Sequence, residues 1–516
     1  MPTQSLPTRE KIPPPAGWGV RAHRPAGGLS PRAGTLVDGI IFTFLCLLAI
    51  LLPHSIKGAQ HAWQLAFLFW LVKLAVTRTR PMPQPLSAPL LAYIVCSAIS
   101  TVLSPDPYLS WDRMKIACLL LVGIVVAQNV HRLTQVRTLI FLLLLSGLAL
   151  AGYTGWQYTY GVGVRVSYIL PVSPLYQAHI HHDDIISQVN GVEVDTPAEL
   201  ERVFRDSPPG TLFRIAYLRG SPFHKKETLV TREQVMQSGI GSQWLQFARG
   251  KPFKAQGKLG HYVTLAEVLM QIGCMAWAML FSMAVRRRGL QLLFGFTFVA
   301  LTAALFMTET RAALAGLAAG CLVTLLKLAS KRARRWAMMA LLVLLLAGAA
   351  WIRHTRGPHW LGANDPGTHF RTMMWEDGLR LIGEHPLFGV GMETIRNHWA
   401  AWNIRAYTLF HDEGHFHNDL IQIAVERGLP ALAAWVWFVI AYVKLLLRLI
   451  RQWGERSRFA TGAAAGVLGS FVAYQTTALV HYDLGIESVA MILFFYFGLA
   501  IALDRMLGDA TAVDVP

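Results

Sequence analysis

Long apolar runs constrain this chain more than any other feature. A helix that crosses a bilayer needs about 20 mostly apolar residues. Such runs lie near 36–53, 61–77, 86–103, 115–130, 137–155, 262–285, 289–307, 311–328, 335–352, 427–449, 460–480 and 484–503, which makes about twelve expected spans. Basic residues gather in alternate connections: Arg78 and Arg80, Arg132 to Arg137, Arg286 to Arg288, Lys331 to Arg335, and Lys444 to Arg458. The positive-inside rule puts those connections and both termini in the cytoplasm. Two long hydrophilic segments, 156–261 and 353–426, then lie on the outer face, and the chemistry is expected there. Only 15% of the 516 residues are charged, against about 25% in soluble proteins, and the mean hydropathy is +0.40. The excess of 47 Lys and Arg over 30 Asp and Glu follows from topology. With no basic-aromatic stripe beside it, nucleic-acid binding is set aside.

The expected fold is an all-α polytopic membrane protein with an α/β insert outside the membrane. Its divisions are a disordered cytoplasmic tail (1–35), five spans (36–155), the insert (156–235), four spans (236–352), an outer catalytic loop (353–426), three spans (427–505) and a short cytoplasmic tail (506–516). The basic, Pro- and Gly-rich start reads as a tail rather than a signal peptide, since no small-residue cleavage site follows the first apolar run. Cys46, Cys96, Cys118, Cys274 and Cys321 all fall in apolar runs without a close pair, so neither a disulfide framework nor a zinc knuckle is expected.

In the first outer segment, strand-like alternation from Val164, Ser173-Pro174, Asp183-Asp-Ile-Ile-Ser-Gln-Val-Asn-Gly191, a capped helix opening Thr196-Pro-Ala-Glu199, and Phe213 to Gly220 make a small α/β module. Over 160–231 it resembles a bacterial-envelope PDZ domain, although His182-Asp183 stands where a Gly usually precedes the core. The resemblance implies an extended peptide ligand added to a sheet edge. Its carboxylate loop would fall at Gly161 and Gly163, where a Gly-rich linker leaving a span would look the same.

The second outer segment carries Arg353, Arg356, Arg371, Arg380, Arg396 and Arg405 but no Lys between 353 and 418. Guanidinium is the planar, bidentate donor suited to phosphate. The alternative is pairing with Asp365, Glu376, Asp377 and Glu384. Histidines are dense here as well: 354, 359, 369, 385, 398, 411, 415 and 417. His411 and His415 stand four apart, yet the acid between them is misplaced for the zinc-protease orders, so no metal site is expected.

Arg371-Thr-Met-Met-Trp375, Pro386-Leu-Phe-Gly-Val-Gly391, His415-Phe-His417-Asn418 and Glu426-Arg-Gly428, with Thr310-Arg311 and more loosely Gly257-Lys258 to His261, resemble the O-antigen ligase and polymerase superfamily. The ligase pattern is His, then Asn, Ser or Gln, nine residues, Gly, two residues, Gly. His417, Asn418 and Gly428 fit, and Ala431 departs from it. The resemblance implies a metal-independent inverting glycosyltransferase of the bacterial inner membrane, without a cofactor. It would move a glycan from a polyprenyl-diphosphate donor to a glycan, lipid A core or protein acceptor. Carried over, it assigns catalysis to His417, Arg311 and Arg371, and the substrate-binding candidates are Asn418, Arg396, His415 and Lys258.

Elementary chemistry agrees with these assignments. An arginine at the outer mouth of a span runs against the cytoplasmic bias, and in low dielectric it can stabilise a leaving diphosphate, although a snorkelling interfacial arginine would look alike. A histidine titrates near neutrality and can take the acceptor proton. Asn418 either orients that imidazole or, the preferred reading, caps the next helix. A PDZ-bearing membrane protease is the runner-up, lacking a zinc helix or a nucleophile elbow. A secondary transporter comes third, because Asp38, Lys73, Glu267 and Lys444 sit mostly near span ends rather than at midplane.

Overall fold

A computed structural model describes residues 31–82, 85–161, 163–219, 224–240, 242–250, 254–282, 288–356, 366–405 and 414–513. The first thirty residues of the expected tail, and His359, Asp365 and His411, lie outside the described residues.

The chain opens with helices α1 (Pro31–Leu51), α2 (Ile56–Thr77), α3 (Ser87–Leu103), α4 (Pro107–Arg113), a 3-10 turn over Met114–Leu119, α5 (Leu120–Asn129) and α6 (Leu133–Tyr160). The insert follows: β1 (Val164–Ile169), α7 (Pro174–Gln177), β2 (Ile185–Val189), β3 (Val192–Glu193), α8 (Pro197–Asp206), β4 (Leu212–Arg219), β5 (His224–Thr231), α9 (Arg232–Gln237) and β6 (Leu245–Arg249). Then come α10 (Tyr262–Ser282), α11 (Arg288–Phe306), α12 (Arg311–Leu328), α13 (Lys331–Arg356), α14 (Pro366–Glu384), α15 (Thr394–His398), α16 (Asp419–Trp453), α17 (Arg458–Thr477) and α18 (Glu487–Val513).

The protein is mostly helical, and seven helices among the described residues are long and apolar enough to cross a membrane: α1, α6, α10, α11, α12, α16 and α18. The other expected spans are helical too, but shorter or less apolar. The run at 115–130 is broken by the 3-10 turn before α5, and the Ser87–Leu103 helix has 17 residues. The Ala- and Gly-rich α17 is buried along most of its length, so it needs little apolar surface of its own. It packs backbone to backbone on α12, where a Cβ at Gly320 would strike the Gly469 carbonyl. Close approach over small residues is how helices associate where lipid supplies no hydrophobic drive. Helix α10 runs through the middle and is buried along almost its whole length.

The insert holds its own apolar core, including Val166, Ile186, Leu200, Phe204, Phe213 and Ile215. Its sheet has the order β5-β4-β2-β1-β6, with β3 beside β2, and every pairing is antiparallel. The sheet therefore continues to Arg249, past the expected boundary at 235. A third core, of Met374, Leu381, Val390, Ile395, Ile404, Phe416 and Val425, fastens α14 and α15 onto the start of α16.

Helix α16 is bent where Gly428 takes φ 82°, ψ 169°, with Pro430 just beyond. The bend separates a short N-terminal piece, from Asp419 to Arg427, from the longer remainder of the helix. The strap from Pro386 to Gly391 lies in this bend: Leu429 N donates to Pro386 O, Val390 N to Val425 O, and Gly391 N to Glu426 O.

Candidate active site

Asn418 starts α16 as its N-cap. Its Oδ1 accepts from Leu420 N at 2.9 Å and Ile421 N at 3.0 Å, satisfying two of the amides a helix start leaves bare. The amide end of the same side chain donates to Leu479 O at 2.9 Å. Asn418 thus ties α16 to the turn between α17 and α18. Just before it, His417 adopts φ 49°, a conformation that persists only where surroundings enforce it. Here Phe416 is buried in the third core and its N–H donates to Gln422 Oε1 at 2.7 Å.

The His417 ring meets Phe370 of α14 edge-on at 5.6 Å and His415 at 4.3 Å, and His415 in turn faces Tyr482 at 5.7 Å. Next along α14, Arg371 donates from Nε to Val480 O at 3.1 Å. Arg371, His415 and Asn418 therefore meet one short turn, 479–482, and His417 lies beside them through His415. Arg311 opens α12 on the same end of the bundle. Gly316, five residues along α12, packs against Ala473 and Thr477 at the end of α17, so Arg311 lies about 7.5 Å further along the helix axis at 1.5 Å per residue. Arg396 in α15 runs its side-chain stem past Gly414, beside His415.

Lys258 goes elsewhere: its ammonium sits 5.1 Å from the Tyr153 ring centre on α6. It also acts on His54, in the turn after α1, whose imidazole is held below its ordinary pKa by burial and then by Lys258. Gly161 caps α6, its N–H donating to Gln157 O, and Gly163 leads into β1 with φ 78°. Among the described residues, the pairing alternative holds for Arg405 and Arg380. Arg405 grips Asp377 at 2.8 Å and Glu376 at 2.9 Å, and Arg380 reaches Glu384 at 3.0 Å.

Sequence reasoning missed the turn that these residues share. Its side chains point back into the bundle: His481 Nδ1 lies 2.7 Å from Glu267 Oε1 of α10 and 4.0 Å from Asp483 Oδ1. Thr477 donates to Asp483, and Asp419 accepts from Tyr474 OH at 2.8 Å and Leu484 N at 3.2 Å. Burial, and then the neighbouring Glu267 carboxylate, push the Asp483 carboxyl well above the ordinary range. Among the described residues, Glu267, His481 and Asp483 have donor atoms close enough to hold a cation, all within 4.8 Å of one another. A His-Tyr-Asp triplet in a connection this short between two apolar runs was the available signal.

Beside this group, Arg427 pairs with Glu426 at 3.0 Å and lies over the Tyr93 ring at 5.8 Å. Glu426 Oε1 also accepts from Glu393 N at 2.9 Å and Gln422 Nε2 at 2.8 Å. Burial raises the Glu393 carboxyl against the pull of Arg113 at 3.7 Å.

Residues 296–436 match the O-antigen ligase family, a stretch that runs from α11 through Arg311, Arg371 and His417 past the bend in α16. That match supports the superfamily, and with it a glycosyltransferase-like membrane enzyme, a glycan ligase or polymerase in general. No curated protein matches the chain.

Proposed function

We propose that the protein transfers a glycan from a polyprenyl-diphosphate donor to an acceptor hydroxyl on the outer face of a bacterial inner membrane. The observation that carries this reading is that Arg371, His415 and Asn418 meet at the 479–482 turn with His417 packed against His415, all four residues lying in the family-matched region. The acceptor oxygen attacks the anomeric carbon as the bond from that carbon to the phosphate oxygen breaks. The electron pair leaves with the diphosphate, and the acceptor proton passes to the His417 imidazole. Arg311 and Arg371 supply the positive charge that the departing diphosphate gathers, and they do so in a low-dielectric setting where such contacts are strong. Attack opposite the leaving group inverts the anomeric centre, and no metal is needed to neutralise a leaving group held by two guanidinium ions. Arg396 and His415 line the approach.

The topology that fits this reading has about twelve crossings, with both termini cytoplasmic and both long hydrophilic segments outside. The insert, with α8 beside an antiparallel sheet, reads as a PDZ-like module that engages an extended peptide of an acceptor or partner protein.

Deleting the gene tests the reaction. One envelope glycan or glycoprotein should disappear while its lipid-linked precursor accumulates. An unchanged envelope with no precursor build-up overturns the reading.

A further inference from the structure

Strand β1 is the edge to which an extended ligand would add, and the chain already fills it. On one side β1 pairs with β2 only through Val164 and Arg165. On the other it pairs with β6 along its length, from Val164 opposite Arg249 to Ile169 opposite Leu245. Strand β6 is the last strand of the sheet and packs beside α8. It runs antiparallel to β1 and ends beside Gly163, where Gly250 N donates to Gly163 O at 2.8 Å. Position, direction and flanking helix are those that strand addition demands of a bound peptide.

The hold on β6 is modest. Leu245 is buried and Phe247 packs partly on the insert's core, whereas Gln246 and Arg249 are exposed, so alternate side chains enter the module as along any strand. Ser167 Oγ adds a bond to Gln246 O at 3.0 Å across a bulge in β1, and the Arg249 guanidinium rests 5.3 Å from the Trp156 ring centre. Beyond β6 the chain docks on the membrane helices: Ala255 N donates to Met307 O at 2.9 Å and Gly257 N to Gln157 Oε1 at 2.7 Å. Met307 stands four residues before Arg311.

We propose that β6 is a built-in ligand of the β1–α8 groove, exchangeable for an extended peptide with apolar residues at alternate positions. The proposal rests on reading the insert as a strand-accepting module. Because β6 is tethered at both ends, it competes as if present at about millimolar concentration. A free peptide of similar sequence therefore binds the intact protein weakly, and binding strengthens when β6 is loosened.

The probe is a fluorescent peptide copying residues 243–250, titrated into the full-length protein in detergent. Three forms are compared: wild type, Leu245→Asp with Phe247→Asp, and Val166→Cys with Phe247→Cys. The last pair are cross-strand partners, within disulfide reach for an antiparallel ladder. We expect at least tenfold tighter binding to the double Asp variant than to wild type, and no binding to the disulfide-locked form until it is reduced. Equal binding by wild type and the Asp variant would refute β6 as the occupant while keeping the module. Absence of binding by every form, with 164–231 still resistant to proteolysis, would refute the strand-accepting reading and this proposal with it. Glycan transfer from the lipid-linked donor, measured on the same preparations, reports separately on the proposed reaction.

Discussion

Replacing Gly428 by alanine should unseat the strap that packs α14 and α15 against the start of α16. At φ 82°, ψ 169° the residue occupies a region that is essentially closed to side chains, and holding alanine there costs about 1–3 kcal/mol. A Cβ would also land on backbone rather than on a flexible side chain, meeting the Leu387 carbonyl and the Phe388 nitrogen. Relief requires the Pro386–Gly391 strap to lift, which breaks bonds such as Leu429 N to Pro386 O at 2.7 Å and Val390 N to Val425 O at 2.8 Å. Each such bond is worth about 1 kcal/mol net. The sum is a loss of about 3–5 kcal/mol, confined to the contact between the strap and α16. Gly383, near the end of α14 and with open space around it, is the control. Alanine there should be neutral or gain up to about 1 kcal/mol. The assay is survival of the monodisperse peak on fluorescence-detected size exclusion after a temperature series in detergent, alongside glycan transfer. Stability of Gly428→Ala equal to wild type would refute the reasoning, as would equal damage from Gly383→Ala.

Other outcomes follow from the same geometry. Asn418→Ala should cost about 0.5–2 kcal/mol through the lost cap, while Asn418→Asp keeps the cap and loses only the bond to Leu479; comparing their melting and transfer rates separates the two jobs. For Glu393 the native carboxyl binds its proton more tightly than the unfolded one, because burial raises it. The fold therefore loses stability as pH rises from the ordinary carboxylate value of about 4.3 through the raised native value. Glu393→Gln should remove that loss, so its melting temperature should gain on wild type across that interval; parallel curves would contradict the assignment.

The apolar runs were legible as helices because hydropathy is a local signal, but only seven of the described helices meet the length and apolarity that a crossing demands. The strands at β1, β2 and β4 and the helix α8 of the insert were plain, since alternation and capping are local signals, whereas β5 (His224–Thr231) was not read as a strand. Strand β6 escaped because its partner, β1, lies about 80 residues earlier and pairing is a tertiary fact. The approach of α14 to His417 was foreshadowed by a motif, whereas the turn that takes hydrogen bonds from Arg371 and Asn418 was not. Leu479 and Val480 contribute only backbone carbonyls, which carry no residue signature. Glu267 looked like a stray span-end charge until the fold brought His481 and Asp483 to it. Lys258, chosen on a loose resemblance, lies by the Tyr153 ring of α6 and acts on His54.

The most direct measurement of the central claim separates donor binding from transfer, using purified lipid-linked glycan in detergent. His417→Ala should bind the donor as wild type does and transfer it on the order of 10²–10⁴-fold more slowly, the range for a lost general base. Arg311→Lys and Arg371→Lys should weaken donor binding nearly as much as the alanine variants, since an ammonium keeps the charge but loses the fork. Near-normal transfer by His417→Ala would remove it from the chemical step and contradict the account.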